Sequence, residues 1–266
     1  MGAFGQNTPV YATVEHHGRS IGGELATLSG RLAVMSGLAE AQLAEAVAAL
    51  AARDSETAQR VVNGDSAIDD METEINARAM RLLTLHAPVA ADLREIVGAL
   101  KISANVERIG DYAANIAKRC IIVNGYPLVP AHNGVIELGR LVRQYVQTAF
   151  DAYAERDLGK AQAVWRGDAD IDALHTCVFQ DLLADMLAES DHVLACTHLL
   201  FVIKNFERIG DHATNIAETI QFLVAGTHMA EKRPKRPLPD TSLPPNAAEA
   251  AAAAATDAFN VLGGHP

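Results

Sequence analysis

The sequence predicts an all-α protein made of two tandem three-helix bundles, six long helices in all, related by internal duplication. Three observations carry that prediction: the composition, the apolar periodicity and a long motif that occurs twice. Of the 266 residues 49% are hydrophobic but only 5% are aromatic, and alanine is abundant. Alanine is the strongest helix former, whereas aromatic and β-branched residues favour sheets, so the mix points to packed helices. Apolar residues recur at helical spacing from about residue 18 onward, with no strand-like alternation.

The elements follow in order. Residues 1–16 read as a flexible arm. A first helix is expected from about 18 to 52, weakened by Gly30 and Gly37. Asp54 can cap a second helix that reaches about His86. Ala87-Pro88 interrupts it, and Pro88 suits the first turn of a third helix running to about Val123. Asn124-Gly125-Tyr126-Pro127 and Pro130 form a linker, so one unit spans 17–125 and the next 128–225. The fourth helix is expected over 131–154 and the fifth over 157–188. Ser190-Asp191 offers caps for a sixth that ends near 225. Residues 226–266 are Pro- and Ala-rich and read as a disordered tail. Within it Asn246 and Glu249 have capping-box spacing for a short helix.

The duplication is visible at residue level. Residues 105–117 and 205–217 share Asn-x-Glu-Arg-Ile-Gly-Asp-x-Ala-x-Asn-Ile-Ala and differ only at Val106/Phe206, Tyr112/His212 and Ala114/Thr214. Upstream, Gly64-Asp65-Ser66-Ala67-Ile68-Asp69 is echoed by Gly167-Asp168-Ala169-Asp170-Ile171-Asp172. The same motif pair in the same order makes the chain a tandem repeat.

Each copy has two faces. Ile102, Val106, Ile109, Ala113, Ile116 and Cys120 step by four and three, as do Val202, Phe206, Ile209, Ala213, Ile216 and Ile220. Such stripes are core seams. Glu107 and Asp111, and likewise Glu207 and Asp211, step by four on another face. Asp65, Asp69 and Glu72 share one side of the preceding helix, beside the stripe of Ile68, Met71, Ile75 and Leu82. If the hairpin turns near Pro88, Asp69 lies level with Glu107 and Asp65 with Asp111. About a turn near Ser190, Asp172 lies level with Glu207 and Asp168 with Asp211. Carboxylates gathered in this way need protons, basic neighbours or a cation to offset their repulsion. Oxygen-rich clusters hold hard cations such as magnesium, calcium, manganese or ferric iron. A solvated acidic face neutralised by Arg108 and Arg208 is the competing reading. His175 stands where Glu72 stands in the first copy, and a nitrogen donor there suits zinc or iron. Gly110 and Gly210 sit mid-helix, where close approach of another helix or of a bound group would favour glycine.

Other classes are excluded or disfavoured. A net charge of -11 opposes nucleic-acid binding, and the one basic run is Lys232-Arg233-Pro234-Lys235-Arg236. Cys120, Cys177 and Cys196 are odd in number, form no C-x-x-C and read as small buried residues in a reducing compartment. No signal-peptide or myristoylation pattern opens the chain, and the most apolar stretch, Val193 to Ile203, is shorter than the ~20 residues a spanning helix needs. Neither a nucleophile elbow nor H-E-x-x-H occurs, and only Glu189-Ser190-Asp191-His192 has the E-x-x-H spacing of a di-iron oxidase.

The paired Glu-Arg-Ile-Gly-Asp segments with their upstream Asp-x-x-x-Asp resemble the PhoU family of phosphate-transport regulators over roughly residues 18–225. The resemblance implies two three-helix bundles in the bacterial cytoplasm, at most peripheral to the membrane, and often a homodimer. It implies negative regulation of the phosphate-starvation response and of phosphate uptake. The implied partners are the ATPase subunit of a phosphate ABC transporter and the sensor histidine kinase of the regulon. Several members bind multinuclear metal clusters through E(D)-x-x-x-D motifs, here Glu107/Asp111, Glu207/Asp211, Asp65/Asp69 and Asp168/Asp172. The expected ions are iron or zinc, with magnesium or manganese as alternatives, and Glu72 and His175 complete the expected ligand set. His175 and the tail beyond 226 depart from the family pattern. The expectation is a non-enzymatic adaptor; a carboxylate-bridged oxidase and a metal-free scaffold are the other readings.

Overall fold

The computed structural model describes the backbone of residues 12–229 and the side chains of residues 21–229. Residues 1–11 and 230–266, with most of the expected arm and tail, the basic run and the Asn246/Glu249 cap, lie outside the described residues. Among the described residues there are seven α-helices, one short 3-10 turn and no strand: α1 (Ala12–Ala52), α2 (Ser55–Gly64), α3 (Ser66–His86), α4 (Ala90–Val123), α5 (His132–Glu155), α6 (Leu158–Ala188) and α7 (Val193–Ala225).

Local chemistry sets most of the ends. Asp54 accepts from the amides of Glu56 and Thr57 at 2.9 and 3.2 Å, and Asp157 accepts from Gly159 and Lys160 at 2.7 and 3.1 Å. These N-caps follow Arg53 and Arg156, both left-handed (φ 54° and 56°), so the Arg-Asp corner is itself repeated. Arg53 also donates to the carbonyls of Val123, Asn124 and Tyr126, satisfying the open C-terminal end of α4. Gly226 ends α7 with φ 70°, a conformation that glycine adopts without strain.

Four expectations need correction. The first helix begins at Ala12, earlier than the expected start near 18. The second helix is two helices, broken at Gly64-Asp65, where the ladder shifts to Ile68 N–H donating to Asp65 O at 2.9 Å. Pro88 lies before α4, because Ala87 turns left-handed and Val89 is the extended N-cap residue. Ser190 and Asp191 form the 3-10 turn, and His192 takes the cap position of α7 without a side-chain bond.

Both predicted seams are fully buried, from Ile102 to Cys120 on α4 and from Val202 to Ile220 on α7. These helices cross the boundary between the halves and pack antiparallel on each other. Gly98 meets Leu223, Asn105 meets His212 and Asn215, and Arg119 meets His198 and the ring of Phe201. Tyr112 and His212, the matching residues of the two motif copies, contact ring to ring at 5.7 Å, so the pseudo-twofold axis passes near them. One continuous apolar core therefore serves both halves.

Helix α1 buries Leu28, Leu32, Met35, Ala39, Leu43, Ala46 and Leu50 against α3, α4 and α5. Its segment Ile21–Ala52 is also long and apolar enough to cross a membrane by length and composition, which the shorter Val193–Ile203 stretch is not. Small alanines spread along the whole helix produce that character, and half of its most apolar 18-residue window is buried inside the bundle. Cys120 and Cys196 are buried, with thiols pushed up to about 11 chiefly by burial, whereas Cys177 is exposed, against expectation.

His132, only 4% exposed, donates from Nε2 to Leu50 O at 3.2 Å and ties α5 to α1, while its Nδ1 is buried without a hydrogen bond. Burial lowers its pKa below the ordinary value. The unfolded chain then binds the proton more readily, so this contribution to stability is present above about pH 6.5 and is lost as pH falls toward the folded pKa. His132→Gln keeps a donor for Leu50 and does not titrate. Denaturant melts at neutral and mildly acidic pH should show a smaller acid-side loss for this variant than for the native chain. Equal losses would remove His132 as the cause.

Candidate metal centre

The first acidic site is assembled by the α3–α4 hairpin. Asp69 on α3 and Glu107 and Asp111 on α4 each bring a carboxylate oxygen within 4.8 Å of the others. The expected register put Asp69 level with Glu107, as found, whereas Asp111, expected level with Asp65, converges on Asp69 as well. Burial and then the charges of Asp65, Asp111, Asp70 and Glu72 push the Asp69 carboxyl above its usual range. Burial and Asp111 push Glu107 up, against the opposing charge of Arg108. Asp65 and Glu72 therefore belong to the same electrostatic cluster.

Two kinds of neighbour temper it. Arg108 pairs with Asp111 at 2.9 Å and with Glu107 at 3.3 Å, but its side chain is 56% exposed, so screening makes these pairs weak. Gln42, on the buried side of α1, donates from Nε2 to Asp65 Oδ1 at 3.1 Å. Sequence reading missed Gln42; its signal was a long polar residue interrupting the apolar side of a helix. Gly110 has no room for a side chain, because a Cβ there would lie 2.9 Å from Ile68 Cδ1 and 3.3 Å from Gln42 Oε1. Gly210 faces Ile171 Cδ1 at 3.0 Å in the same way, so both glycines admit the partner helix of the hairpin.

The second half places its residues differently. Asp168 accepts from Thr214 Oγ1 at 3.3 Å. Glu207 is 8% exposed and pairs with Lys204, whereas Glu107 is half-buried beside Arg108. His175 is buried with its ring stacked on Phe179 at 6.4 Å, and Asp172 and Asp211 are half-buried. Burial is the main cause lowering the pKa of neighbouring His212, which Asp211 opposes. Its Nδ1 lies 2.8 Å from Asn105 Oδ1, which also accepts from Asn215, and this link joins the two motif copies directly. Glu189 and His192, the lone E-x-x-H pair, sit 3.5 Å apart at the 3-10 turn, outside both acidic regions.

The three converging carboxylates of Asp69, Glu107 and Asp111 make an all-oxygen donor set of the type that hard divalent or trivalent cations take. Such a cation would offset the repulsion that raises Asp69 and Glu107. The buried, unsatisfied Gln42 Oε1 beside Gly110 adds a neutral oxygen on the same side. The residues present therefore fit a metal.

Comparison with known proteins agrees with this architecture. A model of the PhoU domain matches the chain twice, over residues 32–120 and 135–220. A phosphate-specific transport system accessory protein PhoU homolog from Caulobacter vibrioides is 45% identical over 222 residues, 83% of this chain and 96% of that protein. The corresponding protein of Rhizobium meliloti is 41% identical over 220 residues, 82% and 92% of the two chains. Among solved structures, PhoU from Pseudomonas aeruginosa superposes with a TM-score of 0.75 at 35% identity, over 77% of this chain and 99% of that one. The phosphate transport system regulatory protein PhoU from Streptococcus pneumoniae gives a TM-score of 0.73 at 25% identity, over 79% and 100%. With two copies of the domain, relatives matched along nearly their whole length and the same helical architecture, the chain belongs to the PhoU family.

Proposed function

We propose that this protein is a non-catalytic negative regulator of the phosphate-starvation response and of phosphate uptake. It acts in the cytoplasm as an adaptor, as a homodimer, between the ATPase subunit of a phosphate ABC transporter and the sensor histidine kinase of the regulon. The observation that carries this reading is the tandem PhoU domain, with relatives named as accessory proteins of phosphate-specific transport. Metal on the acidic helix faces is the second part of the reading, supported by the converging oxygens of Asp69, Glu107 and Asp111. Asp65 and Glu72 complete the first donor set, which suits magnesium, manganese or ferric iron. In the second half the proposed ligands are Asp168, Asp172, Glu207, Asp211 and His175, whose nitrogen suits zinc or iron. The bound cation would supply fixed positive charge that holds α3 and α4 in register and stiffens the face offered to partners.

Deleting the gene should make phosphate-starvation genes constitutive at high phosphate. Pulldown from the native strain should recover the transporter ATPase and the sensor kinase, with amounts that change between high and low phosphate. Unchanged phosphate control in the deletion strain, with neither partner recovered, would dismiss the adaptor reading.

A further inference from the structure

At the junction of α1 with the α2–α3 break, one buried side chain faces the first acidic site with half of its hydrogen-bonding capacity unused. Gln42 is 8% exposed. Its Nε2 donates to Asp65 Oδ1 at 3.1 Å and to Val61 O at 3.3 Å. Val61 O is the carbonyl that an unbroken helix would offer to the Asp65 amide, so Gln42 occupies the gap left by the break. Both neighbours on that side are acceptors, which fixes the amide nitrogen there and leaves the oxygen on the other side. Oε1 is buried and has no hydrogen-bond partner. It lies 3.3 Å from where a Cβ on Gly110 would stand, and Gly110 sits on α4 between Glu107 and Asp111. A buried acceptor without a donor carries an unrecovered desolvation penalty, and folds retain such groups where a ligand or its water completes them.

The second half lacks this arrangement. Tyr145 stands as far before the capping Asp157 as Gln42 stands before Asp54. Its hydroxyl donates to Asp170 Oδ2 at 3.0 Å, and Asp168 is served by Thr214 instead. Around Tyr145 the helix α6 stays unbroken through Gly167. Helix break, amide donor and unsatisfied oxygen thus occur together in the first half.

We propose that Gln42 is a positioning residue of the first metal site: Nε2 holds Asp65 beside Asp69, and Oε1 accepts a hydrogen bond from the hydration shell of the bound cation. This inference rests on the metal-binding reading given above. Groups that orient metal ligands or bound water typically change affinity by ~10–100-fold when they are removed.

The test is manganese(II) titration of the full chain by calorimetry, with melting temperatures recorded in the presence and absence of the ion. Gln42→Met keeps the size of the side chain and removes both polar atoms. It should weaken one class of sites about 10–100-fold and leave any second class unchanged. Gln42→Glu places a second carboxylate against Asp65. It should lower the melting temperature of the metal-free chain and enlarge the rise on adding manganese, because the cation then relieves more repulsion. Were Gln42 only a structural clamp, both variants would melt earlier without metal, while affinity and the metal-induced rise stayed native; that result overturns the proposal alone. A native chain that binds neither manganese, zinc nor iron would overturn it together with the metal reading.

Discussion

Truncating Phe206 to alanine should destabilise the protein by about 3–5 kcal/mol, the range for emptying a fully buried aromatic site. Phe206 lies on α7 with no exposed surface, and its ring ends against α5 and α1. Its Cζ is 2.6 Å from where a Cβ on Gly139 would sit, and a methyl of Val47 is 3.1 Å from the same point. At this point α7 and α5 of the second half meet α1 of the first half. A loss of this size is a large share of the ~5–15 kcal/mol that holds a typical protein folded. It should lower the melting temperature by roughly 6–20 °C at ~2–4 °C per kcal/mol. Gly139→Ala overfills the same point and should cost about 1–3 kcal/mol. Combined with Phe206→Leu it should cost less than the sum of the two single changes, because the smaller ring position gives the methyl room. The repeat supports this pairing of sizes, since the matching positions of the first half carry the smaller Val106 and the larger Ser36, both buried. Urea unfolding of the single and double variants measures all of this. A loss below ~1 kcal/mol for Phe206→Ala would show that the junction is not where the halves are locked.

Asp69→Asn should act in opposite directions on the metal-free and metal-bound protein. In the folded chain burial and then Asp65 and Asp111 raise the Asp69 carboxyl, and burial and Asp111 raise Glu107. The folded state therefore binds protons more tightly than the unfolded chain does. The contribution of these groups to stability is fully present below about pH 4, near the unfolded values, and is lost as pH rises through the folded pKa. Asn at position 69 removes one interacting charge, so the metal-free variant should melt higher than the native chain near pH 7. The advantage should vanish on acidification to about pH 4. With metal the order reverses. A carboxylate ligand is gone, and affinity should fall by at least the ~10–100-fold that losing an outer-shell partner costs. The metal-induced rise in the native chain should itself fade at low pH, because protons compete for the same oxygens. Thermal melts in a chelator and in manganese across this range test both halves of the expectation. Asp69→Asn that melts lower than native without metal, or binds manganese as tightly, would remove Asp69 from the cluster. His132 titrates with the opposite sign, so comparison between variants, rather than the pH profile of one protein, separates the two effects.

Arg108 is the basic neighbour of the first acidic site. It bridges Glu107 and Asp111 from an exposed position, which offsets part of their repulsion and is weakened by salt. A cation that displaces this bridge would free a guanidinium at the surface of α4. Lys204 is set beside Glu207 in the second half.

Much of this protein was legible in the sequence because its signals are local or periodic. The stripes on α4 and α7 are periodic, so their burial followed from spacing alone. Asp54 and the linker at Asn124–Pro127 act on their own neighbours, and the hairpin register that brings Asp69 to Glu107 follows from chain length about one turn. Four features depended on residues far apart in sequence. The α2–α3 break is filled by Gln42 of α1, which takes the Val61 carbonyl, and the continuity of α6 accompanies the packing of Tyr145 on Gly167. The halves fuse because Gly98 admits Leu223, and because Val47 of α1 reaches the point where Phe206 packs on Gly139, contacts that no repeat period announces. Local spacing gave the two acidic motifs as equals, and tertiary packing made them unequal, by placing an amide over one and Thr214 beside the other. The duplicated helices were determined by pattern; the difference between the two sites was decided by the neighbours that the folded chain brought to each.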